Sequence, residues 1–208
     1  VDLTLEEAIE RGLKEEAKDL TFEILETEDE NYVLDEVLIP ALDKVGNKYD
    51  KGELFLPQMI QSAETVKIAL NIIKDRLSNN NSSSKGKIIV ATVQGDIHDI
   101  GKNIVKIMLE NYGYEVIDLG KDVPIEEVVK RAKEENIELI GLSALMTTTV
   151  ENMKKTIEAL KENDISAKVF VGGAVVTEEY AEKINADYYS KDAKSAVEIA
   201  KINFKYKI

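Results

Sequence analysis

A chain of 208 residues has room for one large or two small domains, each able to bury a core. Its formal charge of −13 argues against an extended nucleic-acid or anionic-membrane surface, and the absence of cysteine excludes disulfides, iron–sulfur clusters and thiolate zinc sites. No signal peptide or membrane-length apolar run occurs, which predicts a cytoplasmic protein; the opening Val1, in place of Met, reads as a fragment or a processed product.

Residues 1–77 have a helical texture. Short amphipathic segments at Leu5 to Glu10 and Leu13 to Glu26 are followed by two apolar stripes at three- and four-residue spacing. The first is Val33, Val37, Ala41 and Val45; the second is Leu56, Met59, Ala63, Val66, Leu70, Ile73 and Leu77. The pattern predicts a four-helix bundle whose third helix is kinked by Pro40. Acidic residues such as Glu6, Glu7, Glu10, Glu15 and Glu16 are spread along helical faces and read as solvated. Tyr49, Phe55 and Leu56 flank a turn marked by Gly52 and Pro57, where apolar side chains need a cover. Residues 78–86, Ser-Asn-Asn-Asn-Ser-Ser-Ser-Lys-Gly, carry too little apolar content to fold and read as a flexible linker.

From residue 87 to 208 short apolar runs alternate with amphipathic ones, the texture of repeated βα units. Strands are predicted at Lys87 to Val93, Glu115 to Asp118, Leu139 to Ser143, Val169 to Gly172 and, weakly, near Tyr188. Helices are predicted to begin near Ile100, Pro124, Thr148, Thr177 and Ala193. The expected fold class is α/β: a helical bundle followed by a flavodoxin-like, Rossmann-like doubly wound parallel sheet of order 2-1-3-4-5. Such a sheet binds its ligand at the carboxyl ends of the strands, at the switch point between the first and third.

Three unusual turns fall on that rim: Gly95-Asp96-Ile97-His98 after the first strand, Ser143 to Thr149 after the third, and Gly172-Gly173 after the fourth. Gly95, Gly101 and Lys102 do not make a phosphate loop, because five residues separate the glycines and Asn103 stands where Ser or Thr would hold magnesium. No G-x-G-x-x-G dinucleotide turn occurs there either. His98 is the only histidine. Imidazole is a good metal ligand, and a carboxylate two residues away can hold its second ring nitrogen, so Asp96 and His98 read as a ligand and its support. Taken singly, His98 could cap a helix, the glycines could make a tight turn and the threonines could be caps.

Taken together, Asp96-Ile97-His98-Asp99-Ile100-Gly101, Ser143-Ala144-Leu145 and Gly172-Gly173 resemble the Asp-x-His-x-x-Gly, Ser-x-Leu and Gly-Gly signature of the cobalamin-binding modules of corrinoid methyltransferases. The likeness covers essentially the whole chain. The longer string Gly95 to Val105, with Phe55-Leu56-Pro57-Gln58 in the bundle, looks most like cobalamin-dependent methionine synthase. The resemblance implies cobalamin, as methylcobalamin, bound base-off with His98 as lower axial ligand to cobalt. It implies a nucleotide slot in which Gly95 and Gly101 leave room, Ser143 and Thr147 donate hydrogen bonds and Gly172-Gly173 passes close. Ile97, Asp99, Ile100, Leu145 and Ala193 are further implied contacts. Thr149 replaces the family's serine in a relay with Asp96 and His98. Residues 1–77 become a cap over the methyl face, with Tyr49 (in place of a common phenylalanine), Leu56 and Met59 above cobalt and Asp35 at an acidic contact.

The activity so implied is methyl transfer from methyltetrahydrofolate to homocysteine by way of cobalt, with donor, acceptor and reductive-activation sites on partner domains or chains, and with no nucleic-acid or membrane partner. The alternative is a freestanding corrinoid protein of a methanol, methylamine or aryl-ether demethylating system. A cobalamin-sensing transcriptional regulator is disfavoured, since the chain offers no basic recognition helix and no tryptophan. An adenosylcobalamin mutase is disfavoured by the helical cap.

Overall fold

The computed structural model describes residues 3–77 and 84–205. The chain divides into two compact units, Val1–Asn81 and Ser82–Ile208. Residues 78–83 of the expected linker lie outside the described residues. Its last residues are already tied to the second unit: Lys85 N–H donates to Gly113 C=O at 2.9 Å, and Glu115 N–H donates to Gly86 C=O at 2.9 Å.

The first unit is helical. Helix α1 (Leu5–Glu10) opens with a reciprocal cap, in which Thr4 Oγ1 accepts from Glu7 N–H at 3.2 Å and Glu7 Oε2 accepts from Thr4 N–H at 3.1 Å. Helix α2 spans Lys14–Ile24, shorter at both ends than its sequence pattern. The third helix runs unbroken through α3 (Glu30–Tyr32), a π-helical turn (Val33–Leu38) and α4 (Ile39–Asp50). The widened turn is the structure's answer to Pro40. Proline cannot donate to the carbonyl four residues back and its ring crowds that carbonyl; here the turn before it opens, and Ile39 N–H bonds to Leu34 C=O five residues back. Helix α5 (Leu56–Leu77) completes the unit.

Leu5, Ala8 and Ile9 of α1, Leu34, Leu38, Ala41 and Val45 of the third helix, and Val66, Leu70 and Ile73 of α5 are buried and form the core of this unit. Lys44 pairs with Glu6 and Glu10 at 3.0 and 2.9 Å, and Lys48 also pairs with Glu10, tying α4 to α1 across the rim of that core. Along the apolar stripe of α5, Val66, Leu70 and Ile73 are buried. Leu56 is half exposed at 52%, Met59 and Ala63 are partly buried, and Val37 on the third helix is partly buried as well. The periodicity continues to the start of α5, but its first turn stays exposed at Leu56.

The second unit is a five-stranded, all-parallel sheet in the expected order β2-β1-β3-β4-β5. Its strands are β1 (Lys87–Thr92), β2 (Glu115–Asp118), β3 (Leu139–Ser143), β4 (Lys168–Gly172) and β5 (Tyr188–Tyr189). Helices α6 (Ile100–Asn111), α7 (Ile125–Glu134), α8 (Glu151–Glu162), α9 (Glu178–Lys183) and α10 (Ala193–Phe204) follow them in turn. The central strands are near-continuous apolar runs because both faces are covered. On one face Ile89, Ala91, Ile140, Leu142, Val169 and Val171 meet Val128, Ala132, Met153, Ile157 and Leu160 from α7 and α8. On the other, Phe170 lies across Gly141 so closely that a Cβ there would sit 2.3 Å from the ring. That spacing gives the glycine inside β3 a packing reason.

Register decides where the site forms. Thr92 pairs with Ser143 and Ser143 with Gly172, so β1, β3 and β4 end level and deliver their following turns to one rim. No helix among the described residues is long and apolar enough to cross a membrane.

Candidate functional site

The turn after β1 is held from several sides. Thr92 Oγ1 donates to His98 C=O at 3.2 Å, and Val93 N–H donates to Ser143 C=O at 3.0 Å. Gly95, at φ +86°, has the left-handed backbone that glycine adopts without strain. Its N–H donates to Asp122 Oδ1 at 2.7 Å, and Asp122 N–H returns a bond to Asp96 C=O at 2.8 Å. From α8, Asn152 Nδ2 donates to Gln94 C=O at 2.6 Å.

Inside this turn Asp96 is fully buried. Its Oδ1 accepts His98 N–H at 3.0 Å and lies 2.7 Å from His98 Nδ1. Its Oδ2 accepts Leu145 N–H at 2.8 Å, Met146 N–H at 3.3 Å and Thr149 Oγ1 at 2.7 Å. Burial by itself would push this carboxyl up. The donors from His98, Leu145 and Thr149 outweigh it and pull the group down to about 2. An ionised carboxylate only accepts, so Nδ1 must carry the hydrogen and the lone pair of the neutral ring lies on Nε2. The His98 side chain is 42% exposed while its Nδ1 edge is occupied, leaving Nε2 as the nitrogen open to a ligand. Asp99 at the N-cap position of α6 makes no side-chain cap, and His98 is committed to Asp96, so the cap reading of this turn falls away.

The β3 turn is shaped by the same carboxylate. Thr149 N–H and Val150 N–H both bond to Met146 C=O, at 3.1 and 3.2 Å, and α8 starts only at Glu151, three residues after the expected Thr148. Holding the Thr149 hydroxyl on Asp96 delays the helix. Thr147 is exposed and Ser143 partly buried. The glycine pair has an internal reason. A Cβ on Gly172 would stand 2.8 Å from Ser190 C=O, and one on Gly173, at φ +129°, 2.0 Å from Ala144 C=O. Ala193 is buried in the first turn of α10, behind an Asp192 cap that accepts Ser195 N–H at 2.7 Å.

Gly95, Asp96, His98, Leu145 and Thr149 are thus brought into one bonded cluster, while Asp99, Ile100 and Gly101 carry it into α6. A Cβ on Gly101 would meet nothing within 4 Å. Ile97 and Leu145 present apolar side chains to solvent, 62% and 41% exposed. Lys102, by contrast, is buried in an ion pair with Asp118 at 2.5 Å, with Lys106 at 3.7 Å from the same carboxylate. Burial pushes the Asp118 carboxyl up, but Lys102 and Gly120 N–H pull it below its ordinary value. Lys102 is therefore committed inside the unit and is not offered to a phosphate. In the first unit Asp35 lies in the π-helical turn and is partly buried, Tyr49 and Leu56 are exposed and Met59 is partly buried.

Sequence reading missed Asp122 and Asn152. The only signal was Asp122 in Gly-Lys-Asp-Val-Pro, a residue type that tolerates the left-handed backbone it takes at φ +51°.

No group of three or more His, Cys, Asp or Glu among the described residues could hold a bare metal ion. His98 alone suits a metal whose equatorial positions are filled by a macrocycle, since such a metal needs only an axial ligand from the protein. Exposed Ile97 and Leu145 beside it and the open space at Gly101 suit a large ring and its tail.

The depressed Asp96 group has a consequence for stability. Its folded value lies below the usual 3.8, so Asp96 stabilises the native state above about pH 4 and that contribution fades as pH falls toward about 2. Asp96→Asn is expected to destabilise the apoprotein near neutrality, and its deficit against wild type should shrink by about 1–2 kcal/mol between about pH 4 and pH 2. Urea unfolding at a series of pH values measures this; a deficit that is flat over that range would contradict it.

A B12 binding domain model matches residues 86–199, and a second B12 binding domain model matches residues 3–74. The chain is 45% identical over 163 residues to dimethylamine corrinoid protein 3 of Methanosarcina mazei, covering 77% of this chain and 98% of the relative. The solved monomethylamine corrinoid protein of Methanosarcina barkeri superposes with a TM-score of 0.86 at 32% identity, over 94% of each chain. The methanol:cobalamin methyltransferase complex of the same organism contains a chain matching at a TM-score of 0.59 and 31% identity, over 97% of this chain and 80% of that one.

Proposed function

The chain belongs to the B12-binding domain family, and from that premise we propose that it is the methyl-carrying corrinoid protein of a methylamine-type methyltransferase system, working between partner chains. The observation that carries this reading is the Asp96–His98 pair, held at 2.7 Å through Nδ1 on a side chain that is 42% exposed. The methylamine class is supported by relatives at 45% and 32% identity that are methylamine corrinoid proteins. The methionine synthase reading yields to its alternative because the relatives are methylamine corrinoid proteins; the motif residues, which would serve the cofactor in either case, do not discriminate. Nothing in Gly95 to Val105 reports on the methyl donor or acceptor.

Bound cobalamin would supply a cobalt centre that accepts a methyl group and gives it up. His98 Nε2 would be its lower ligand, replacing the cofactor's own base. Gly101 would leave room for the displaced tail, with Ser143 and Thr147 offering hydroxyls to it and Gly172, Gly173 and Ala193 lining its path. In the first unit, Asp35, Tyr49, Leu56 and Met59 are the residues that the family resemblance would offer to the cofactor, and Tyr49 and Leu56 are exposed. Thr149 and the Leu145 amide keep the Asp96 carboxylate in place, and the carboxylate in turn holds the ring through Nδ1.

Electron paramagnetic resonance of the protein reconstituted with cob(II)alamin carrying nitrogen-15 in its dimethylbenzimidazole tests the ligand. A nitrogen-14 triplet that vanishes in His98→Gly is expected; a nitrogen-15 doublet would overturn the base-off reading. Isotope transfer tests the substrate class. Reduced, cobalamin-loaded protein should gain a carbon-14 methyl label from dimethylamine in the presence of a dimethylamine methyltransferase, and gain none from labelled methyltetrahydrofolate with a folate-type partner. The reverse pattern would restore the methionine synthase reading.

A further inference from the structure

Asp122 lies 24 positions from His98 in sequence and does not touch it, yet it bonds to both residues that set the course of the His98 turn. Its Oδ1 takes Gly95 N–H at 2.7 Å, and its own N–H is given to Asp96 C=O at 2.8 Å. These bonds close a ring across Gly95-Asp96 on the side opposite the β3 turn, which grips Asp96 through Oδ2. Asp122 makes them from a left-handed backbone at φ +51°, next to Val123, whose bridge to Val93 aligns the β2–α7 loop with the end of β1. Left-handed backbone is strained for a non-glycine residue, least so for Asn and Asp. A conformation of that kind persists where the surroundings hold it.

We infer that Asp122 is a positioning residue for the axial ligand: through Gly95 and the Asp96 backbone it holds the turn in the one course that aims His98 Nε2 outward. This rests on the reading of His98 as lower ligand. The geometry separates two components that substitutions can address one at a time. Asp122→Asn keeps a side-chain oxygen for Gly95 and tolerates the left-handed backbone. Asp122→Gly keeps the backbone without strain but removes the acceptor. If the acceptor positions the turn, only the glycine variant should loosen His98.

The test uses the cob(II)alamin-loaded protein and free nitrogen-15 imidazole as a competing ligand, read by electron paramagnetic resonance as conversion of the nitrogen-14 triplet to a nitrogen-15 doublet. Loss of a hydrogen bond to a charged acceptor, about 1.5 kcal/mol at the low end, corresponds to roughly tenfold. The imidazole concentration for half-conversion is therefore expected to fall about tenfold in Asp122→Gly and to stay within about twofold of wild type in Asp122→Asn. Hydrogen exchange of the apoprotein gives a reading that needs no cofactor. The segment 93–99 should exchange about tenfold faster in Asp122→Gly, while α10, remote in sequence, is unchanged. A wild-type triplet with both variants at the wild-type imidazole midpoint and unchanged exchange would overturn the role of Asp122 alone. Equal loosening in the two variants would assign the effect to the backbone and overturn it as well. Absence of the triplet in wild type would instead bring down the ligand reading on which it rests.

Discussion

The carboxylate of Asp96 joins the two halves of the switch point. It accepts from His98 N–H and Nδ1 on one oxygen and from Leu145 N–H, Met146 N–H and Thr149 Oγ1 on the other, so one side chain ties the turn after β1 to the turn after β3. A buried charge is tolerated only when its lone pairs are occupied, and here they are. The same bonds set the histidine tautomer, the orientation of the ring and the late start of α8. The sheet supplies the precondition, since β1, β3 and β4 end at one level.

Part of the structure's irregular backbone lies around that point. Gly95 and Asp122 take positive φ on one side, and Gly173 does so on the other with Ala144 C=O where its side chain would be. Lys102 and Asp118 form a buried pair between the first turn of α6 and the end of β2. Such a pair is weak grounds for stability, though removing one partner strands the other. Its effect on the site is by exclusion: the lysine next to the open Gly101 is consumed internally and the surface there is left uncharged by it. In the helical unit the irregular backbone is the π turn before Pro40, which also carries Asp35.

Much of this was legible in the chain. Continuous apolar runs bounded by polar turns located all five strands to within a residue or two, and the alternation with amphipathic segments was enough for the 2-1-3-4-5 order. Asp96 and His98 were legible because the chemistry needs both residue types at that spacing. Asp122 was not, because its partners are backbone atoms brought near by the β1–β2 pairing, and backbone atoms leave no mark on sequence. The stripe of α5 misled at its start, where Leu56 keeps helical spacing but is exposed. The π turn was read as a kink, since proline signals a broken bond but not how the chain repairs it. The substrate class was illegible for a different reason: the motif residues of the site would serve the cofactor, and none of them was read as touching a substrate.

His98 being the only histidine makes the central arrangement directly observable. Long-range proton–nitrogen correlation on apoprotein labelled with nitrogen-15 in the imidazole, at mildly alkaline pH, reports which ring nitrogen carries the hydrogen. The Asp96 contact requires a single tautomer with the hydrogen on Nδ1 in wild type, and its loss in Asp96→Ala. A proton on Nε2, or an even mixture of tautomers as in a free imidazole, would contradict it.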